Sequence, residues 1–506
     1  MTDKKIMNRW LVVLGAILIQ LALGAIYAWS VFTPALTATS PTELVAQYGA
    51  YHEAPMLDIT QTEFDQMKAG LAELKKEART LDLKERVTED KAEKAALAEQ
   101  KREVTATMDG IILKYVDQQT LDGLTYRYTK TQTQVIFALG LAFFALVMIY
   151  AGRKIKTWGP RNLAIIGGTV LGLGYVLAGL FAGTSFWLNT IFIGVVGGAG
   201  IGLAYVVPIA VGIKWFPDKK GMITGLAVAG FGFGAMGWVK LAGSWGHLIN
   251  DIGIPQTFLI YGVAYALMVI VGGLWMVFPP EGWKPAGYME KVQTGGGKKI
   301  AAVRDFKSGE MLRTVQFYLI FFTFIFSAGA GLMSIGLMKL YPIEVLRDSG
   351  MDAVAASAIA GTAMAVFFSL ANGLGRILWG MLSDKIGRKI SIIIMTATQG
   401  ILVLLFTYMA GNEYLLYLGA TLIGFNYGGI FALFPTVTAD IFGTRNIGQN
   451  YPFVFLAYGI GGIAGPIFGG WLGDLGNFPL AFTISGITVL VGTLLTVMLK
   501  PVKSYA

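Results

Sequence analysis

The chain has no cysteine in 506 residues, which excludes disulfides and thiolate metal sites alike. Histidine is almost as scarce. His52 and His247 are the only two, too few for a histidine-built zinc centre or a histidine-dependent active site. Charged residues make up only 14% of the chain and are missing from long stretches of it. No nucleophile–base pair, metal-ligand cluster or phosphate-cradling loop holds up in its context, so an enzyme is the class least supported. No catalytic residue, metal or cofactor is expected. The net charge of +9 raises nucleic acid as a partner, but the placement of the basic residues speaks against it.

Against these absences stand 55% hydrophobic residues, 66 glycines and a mean hydropathy of +0.60. The apolar residues gather into twelve segments, about 10–36, 132–151, 162–182, 187–213, 221–246, 256–278, 314–340, 354–382, 389–410, 414–439, 447–472 and 478–499. Most reach the roughly 20 residues that cross a hydrocarbon layer about 30 Å thick, so the expected fold is an all-α membrane protein in a lipid bilayer. Lys4, Lys5 and Arg9 precede the first segment, as in a signal peptide. Its apolar run of about 23 residues exceeds the roughly 7–15 of a signal, so it reads as a retained helix. An even number of crossings puts both termini on one side. With the termini inside, the inner segments hold 23 Lys/Arg, while the outer short loops and helix ends hold only Lys240, Lys339 and Arg347. That bias predicts a multi-pass protein of the inner (plasma) membrane with cytoplasmic termini.

The chain also repeats itself. The stretch 152-GRKIKTWGPR-161 returns as 380-GMLSDKIGRK-389, each a Gly-x6-Gly with a basic end, 228 residues apart. Helices 4 and 10 share Gly202-x-x-Tyr205 and Gly424-x-x-Tyr427. The first helices of the two halves, 24-GAIYAWSVFTP-34 and 331-GLMSIGLMKLYP-342, align instead at about 308. The difference of about 80 residues marks an insertion between helices 1 and 2. The expected organisation is helix 1 over 1–36, a charged helical insertion over 37–130, helices 2–6 over 131–278, a cytoplasmic central loop over 279–313 and a second six-helix half over 314–506. Two pseudo-symmetric halves of six helices place a substrate site between them near the midplane.

The insertion carries 17 acidic and 13 basic residues between Glu43 and Lys130, and neither Gly nor Pro between Leu71 and Asp109. Phe64, Met67, Leu71, Leu74, Ala78 and Leu81 follow a heptad spacing, as one long arm or a hairpin turning near 85–90. By topology it lies outside. A solvated or self-packing cap is the plain reading, and contact with an extracytoplasmic partner is the alternative.

Some signals dissolve in context. Gly232-Phe-Gly-Ala-Met-Gly237 fits a nucleotide-binding pattern, yet no strand precedes it; like Gly461, Gly465, Gly469 and Gly473, these glycines suit close helix packing. Lys240 and Lys339 sit near helix ends, where snorkelling accounts for them. Arg376 does not dissolve. It lies eight residues inside Asp384, about 12 Å along a helix, with no Asp or Glu deep in any helix to neutralise it. Pairing with backbone carbonyls or with Asn372, one turn earlier, is the structural account. Meeting an anion from water is the functional one, since parallel guanidinium donors match the two oxygens of a carboxylate. Tyr205, Tyr427, Phe431, Phe455, Tyr458, Tyr27 and Trp29 are the aromatics placed to frame such a site.

The 380-GMLSDKIGRK-389 loop resembles the helix 2–3 and 8–9 signature of the major facilitator superfamily. Within it, 8-NRWLVVLGAILIQLALGAIYAWSVF-32, 214-KWFPDKKGMITGLAVAGFGFGA-235 and 435-PTVTADIFGTRNIGQNY-451 are similar to the oxalate/formate antiporter family, which includes bacterial relatives of monocarboxylate transporters. The resemblance covers all but 37–130. It implies alternating access, a small carboxylate held by Arg376 and an aromatic box around Tyr205 and Tyr427. Gly152, Arg161, Gly380, Asp384 and Arg388 would form the loops that control the rocking of the halves.

Three positions depart from the family pattern. Tyr458 stands where oxalate carriers share a lysine, which favours lactate, pyruvate or formate over a dianion. Lys156 stands where the first loop usually has an acid. Asn372 replaces the Asp of many proton-coupled monocarboxylate carriers, and an unloaded carrier that must occlude an unpaired guanidinium favours exchange. Proton-coupled uptake remains the family expectation, with oxalate/formate-type exchange and a transporter-like receptor sensing through 37–130 as alternatives.

Overall fold

The computed structural model describes residues 7–48, 57–88, 91–243, 246–285, 294–295, 298–299, 304–338, 340–351 and 353–500. Lys4, Lys5, His52, Lys339 and much of the 279–313 loop lie outside them. Twelve helices are long and apolar enough to cross a membrane: Arg9–Thr37, Thr131–Trp158, Pro160–Ala182, Phe186–Trp215, Lys220–Ala242, Leu248–Gly273, Val315–Leu337, Ile359–Ile386, Arg388–Met409, Glu413–Phe442, Ile447–Gly473 and Phe478–Val497. They are numbered here as spans 1 to 12. The side of the bundle that carries the 2–3, 4–5, 8–9 and 10–11 loops is called the terminal face, because an even number of crossings returns both chain ends to it.

Local chemistry sets where the spans begin. Asn8 accepts from the Trp10 amide ahead of span 1, Thr129 and Gln132 form a capping box ahead of span 2, and Asn412 caps span 10. Span 6 starts at Leu248 rather than near 256, because the chain bends at Gly253 (φ +79°) and a short helical turn precedes the bend. Span 1 is not uniform: α geometry over Arg9–Leu23 tightens to a 3-10 helix over Gly24–Val31. A π-helical turn, Ala363–Phe368, leads into the segment that carries Asn372 and Arg376. Among the described residues, the departure from an all-helical fold is a two-residue strand pair, Thr294–Gly295 with Lys298–Lys299, in the central loop.

The sequence repeat is a backbone repeat. Gly159 (φ +79°) and Gly387 (φ +93°) turn the chain from span 2 to 3 and from 8 to 9 in the same positive-φ conformation, which a side chain would strain. Across the bundle, span 5 packs on span 8 and span 2 on span 11. These crossings are tight enough that a Cβ at Gly221 would meet the backbone of Gly380, and one at Gly152 the backbone of Gly448.

Residues 37–130 contain helices Pro41–Tyr48, Gln61–Val87, Lys91–Ile112 and Gln118–Leu124. The two long ones pair as a hairpin; residues 89 and 90, at its turn, lie outside the described set. Phe64, Met67 and Leu71 of the predicted stripe are buried against Met108, Ile112, Val116 and Leu121, forming a small core of their own. Thr60 and Glu63 cap the first long helix reciprocally, and Thr42 donates to Asp109 from both amide (2.8 Å) and hydroxyl (2.6 Å). At the root of the insertion the Tyr128 amide donates to the Leu36 carbonyl at 2.8 Å, so the chain leaves and returns at nearly the same place.

Candidate functional site between the halves

Arg376 is 2% exposed, at the centre of the bundle between spans 5, 8 and 10. Its Nε donates to Asn372 Oδ1 (3.1 Å), one turn earlier on span 8, and its Nη1 donates to the Val228 carbonyl of span 5 (2.8 Å). The Phe431 ring covers the guanidinium at 4.3 Å. No carboxylate pairs with it among the described residues. A guanidinium has five N–H donors. Two are engaged, leaving three without a protein acceptor among the described residues.

Rings surround the cation. Phe431 packs on Tyr427 and Tyr458 with centroids at 5.6 and 5.2 Å. Tyr458 stacks on Phe455 at 5.2 Å, Phe455 meets Tyr205 at 5.2 Å, and Tyr205 meets Phe231 at 5.5 Å. Tyr27 closes the circuit: its ring lies edge-on to Phe231 at 5.1 Å and its hydroxyl hydrogen-bonds that of Tyr458. Tyr27 belongs to the first half and Tyr458 to the second, so this bond joins the halves. All seven rings come from helix faces that converge around Arg376, and four of them carry a hydroxyl.

Of the residues singled out from sequence, Arg376, Asn372, Tyr205, Tyr427, Tyr458, Phe431, Phe455 and Tyr27 come together. Trp29 does not. Its indole donates to the Thr133 carbonyl (2.9 Å) and its ring packs with Phe32 and Phe258 inside the first half. Two residues apart on one helix, Trp29 and Tyr27 point to different sides of it, so Trp29 faces away from the cation. Phe231, Tyr451 and the Val228 carbonyl went unmarked in the sequence. Tyr451 had a signal, since 451, 455 and 458 follow the i, i+4, i+7 spacing of one helix face. A backbone carbonyl leaves none.

The loop residues form a second site at the terminal face. Asp384 accepts from the Gly221 amide (2.9 Å) and the Met222 amide (2.8 Å), capping span 5 of the opposite half with a carboxylate. Arg388 ties Asp384 (2.5 Å) to Asp440 (3.1 Å), and Lys220 of the first half reaches Asp440 at 2.7 Å. The pseudo-symmetric position lacks this carboxylate: Lys156 donates instead to Asn446 Oδ1 across the halves. Gly152 and Gly380 supply the close backbone approaches, whereas Arg161 is solvent-exposed at the start of span 3. Asn446 is held from behind, donating to the Phe306 carbonyl at 2.8 Å.

Twelve spans in two like halves, meeting around a buried cation and tied by charged pairs at one face, have the build of a membrane transporter. The Major Facilitator Superfamily model matches residues 110–368 and 355–505, and the chain belongs to that family. It is 27% identical over 398 residues to the oxalate:formate antiporter of Oxalobacter formigenes, covering 75% of this chain and 88% of that protein. It is 28% identical to the uncharacterized MFS-type transporter YhjX of Escherichia coli (strain K12), over 65% and 77% of the two chains. It is 26% identical to apicoplast pyruvate carrier 1 of Toxoplasma gondii, over 63% and 66%. Among solved structures, the xylose symporter XylE superposes with a TM-score of 0.57 at 13% identity, covering 97% of this chain and 95% of that one. The Escherichia coli fucose:proton symporter FucP gives 0.54 at 15% identity, over 74% and 93%. These two likenesses concern the fold.

Proposed function

We propose that the protein is a secondary active transporter of small monocarboxylates, such as lactate, pyruvate or formate, in which Arg376 binds the carboxylate between the halves. The observation that carries this reading is the buried guanidinium with three uncommitted donors, no acidic partner among the described residues and a ring of aromatic side chains. One cation fits one carboxylate; a dianion would leave a charge buried and unpaired. Rocking of the halves about this site would alternate access, with the Asp384–Arg388–Asp440–Lys220 lock closing the terminal face. The 23 Lys/Arg of the inner segments support a cytoplasmic terminal face and an extracytoplasmic 37–130 insertion in the plasma (inner) membrane.

Proton coupling, carried over from the monocarboxylate relatives, finds Asn, Tyr and Phe around Arg376 rather than a carboxylate, so the proton would cross with the substrate. The likeness to an oxalate:formate antiporter makes exchange the second reading. The small core inside the insertion supports a self-packed cap over a sensor.

The test is uptake of labelled lactate, pyruvate, formate and oxalate into proteoliposomes, with and without an imposed pH gradient. The expected result is monocarboxylate uptake, raised by an inward proton gradient and reduced at least a hundredfold in Arg376→Ala. Full uptake by that variant would overturn the site, and strong oxalate uptake would overturn the preference for one carboxylate.

A further inference from the structure

The two acceptors of Arg376 come from different places. Asn372 belongs to its own helix, but Val228 belongs to span 5 of the other half. The Val228 carbonyl, inside the Lys220–Ala242 helix, uses its second lone pair to reach across the interface. We propose that Asn372 and the Val228 carbonyl together stand in for the substrate carboxylate, so that the halves close over an unloaded Arg376 and the carrier performs net transport rather than strict exchange. The inference rests on the reading of Arg376 as the carboxylate site.

A buried charge needs aligned dipoles or a counter-charge, and a carrier offering neither would have to wait for an anion before closing. Here both acceptors are neutral. They solvate the guanidinium without cancelling its charge, so an arriving carboxylate still gains a charge-assisted pair. An aspartate at position 372 would cancel that charge and compete with the substrate. The groups facing Arg376 are Asn372, the Val228 carbonyl, Phe431 and the Gly232 backbone, with the hydroxyls of Tyr27, Tyr205, Tyr427, Tyr451 and Tyr458 farther off. Asn372 is therefore a positioning residue that acts through the arginine. The departure from the proton-coupled family pattern at 372 then has a purpose: enough pairing to close, too little to displace the substrate.

The test compares efflux from preloaded proteoliposomes into substrate-free buffer with efflux into buffer containing the same acid. Net efflux within about tenfold of exchange is expected for the unaltered chain. Asn372→Leu should lower the ratio of net efflux to exchange about tenfold, because the unloaded return loses one acceptor. Asn372→Asp should restore the ratio while raising the KM for the monocarboxylate at least tenfold. Exchange without net efflux in the unaltered chain, or an equal loss of both modes in Asn372→Leu, overturns the proposal.

A second readout needs no substrate. The chain has no cysteine, and the Phe233 ring of span 5 packs on Gly373 of span 8. Paired cysteines at 233 and 373 report closure by disulfide formation. Crosslinking should drop severalfold when Asn372→Leu is added, and an unchanged yield overturns the proposal. If none of the tested acids crosses in either mode, the monocarboxylate reading fails and the crosslink alone decides this one.

Discussion

At Gly232 the lack of a side chain leaves one flank of the Arg376 guanidinium open. A Cβ there would stand 3.6 Å from Cζ and 3.7 Å from Nε and Nη2, ordinary contact that forces nothing to move. Alanine is also the better helix former by about 1 kcal/mol. Gly232→Ala should therefore fold at least as well as the parent while narrowing the space beside the uncommitted donors. The expected outcome is an unchanged or slightly raised melting temperature and a KM for monocarboxylate raised about tenfold; an unchanged KM would place the carboxylate on the other flank. At this scale the sequence was legible where a residue broke its surroundings. Arg376 stands out because a permanent charge in an apolar run has few explanations. Phe231 and Tyr451 do not, since aromatics in a membrane span look alike until the helix faces are known. Trp29 differs for that reason: two residues from Tyr27 it points to another side of the helix, and its indole donates to the Thr133 carbonyl.

Between elements, the pseudo-symmetry holds for backbone and fails for chemistry. Subtracting the 228-residue displacement maps Arg376 to Met148 and Asn372 to Phe144, both buried, and Phe144 packs on Tyr205 and Phe455. One half supplies the cation and the other an apolar wall. The charged face repeats this division: Asp384 caps span 5, whereas Lys156 donates to Asn446 at the start of span 11. Two amides on one carboxylate make span 5 the firmer grip. Asp384→Ala removes both bonds and leaves Arg388 a single acid, Asp440. Loss of a helix cap costs about 1–2 kcal/mol, which shifts an open–closed equilibrium roughly 5- to 30-fold. A cysteine introduced at Ser383, 1% exposed and beside the Gly221 backbone, should then react with a membrane-impermeant maleimide several times faster than in the parent lock. Equal rates would remove Asp384 from the gate. The Gly-x6-Gly loops announced a lock in the sequence, but Lys220 and Asp440, 220 residues apart with no motif linking them, became partners only when spans 5 and 10 were brought together.

For the whole molecule, twelve crossings were legible because apolar length is a bulk property that tolerates errors of a few residues. The start of span 6 was missed because the bend at Gly253 lets polar-flanked residues join the helix. Residues 37–130 stand out by contrast, as a charged stretch inside an apolar chain, and their heptad residues Phe64, Met67 and Leu71 pack in a core distinct from that of the bundle. That separation makes the insertion removable. The hydrogen bond between Leu36 and Tyr128 holds the ends of spans 1 and 2 together, and Asn189 Nδ2 donates to the Tyr128 hydroxyl at 3.0 Å from span 4. Burial pushes that hydroxyl up to about 12, so it stays protonated at any physiological pH. A short loop can bridge such a gap, since closing it is entropically cheaper than closing the long one. Replacing residues 41–124 by four or so Gly/Ser residues should leave monocarboxylate uptake within about threefold of the parent and the Arg376→Ala defect intact. Folding of the shortened chain is checked by its monodisperse elution in detergent and by the 233–373 crosslink. Lost uptake in a chain that passes both checks would move the insertion from a cap to a working part of the carrier.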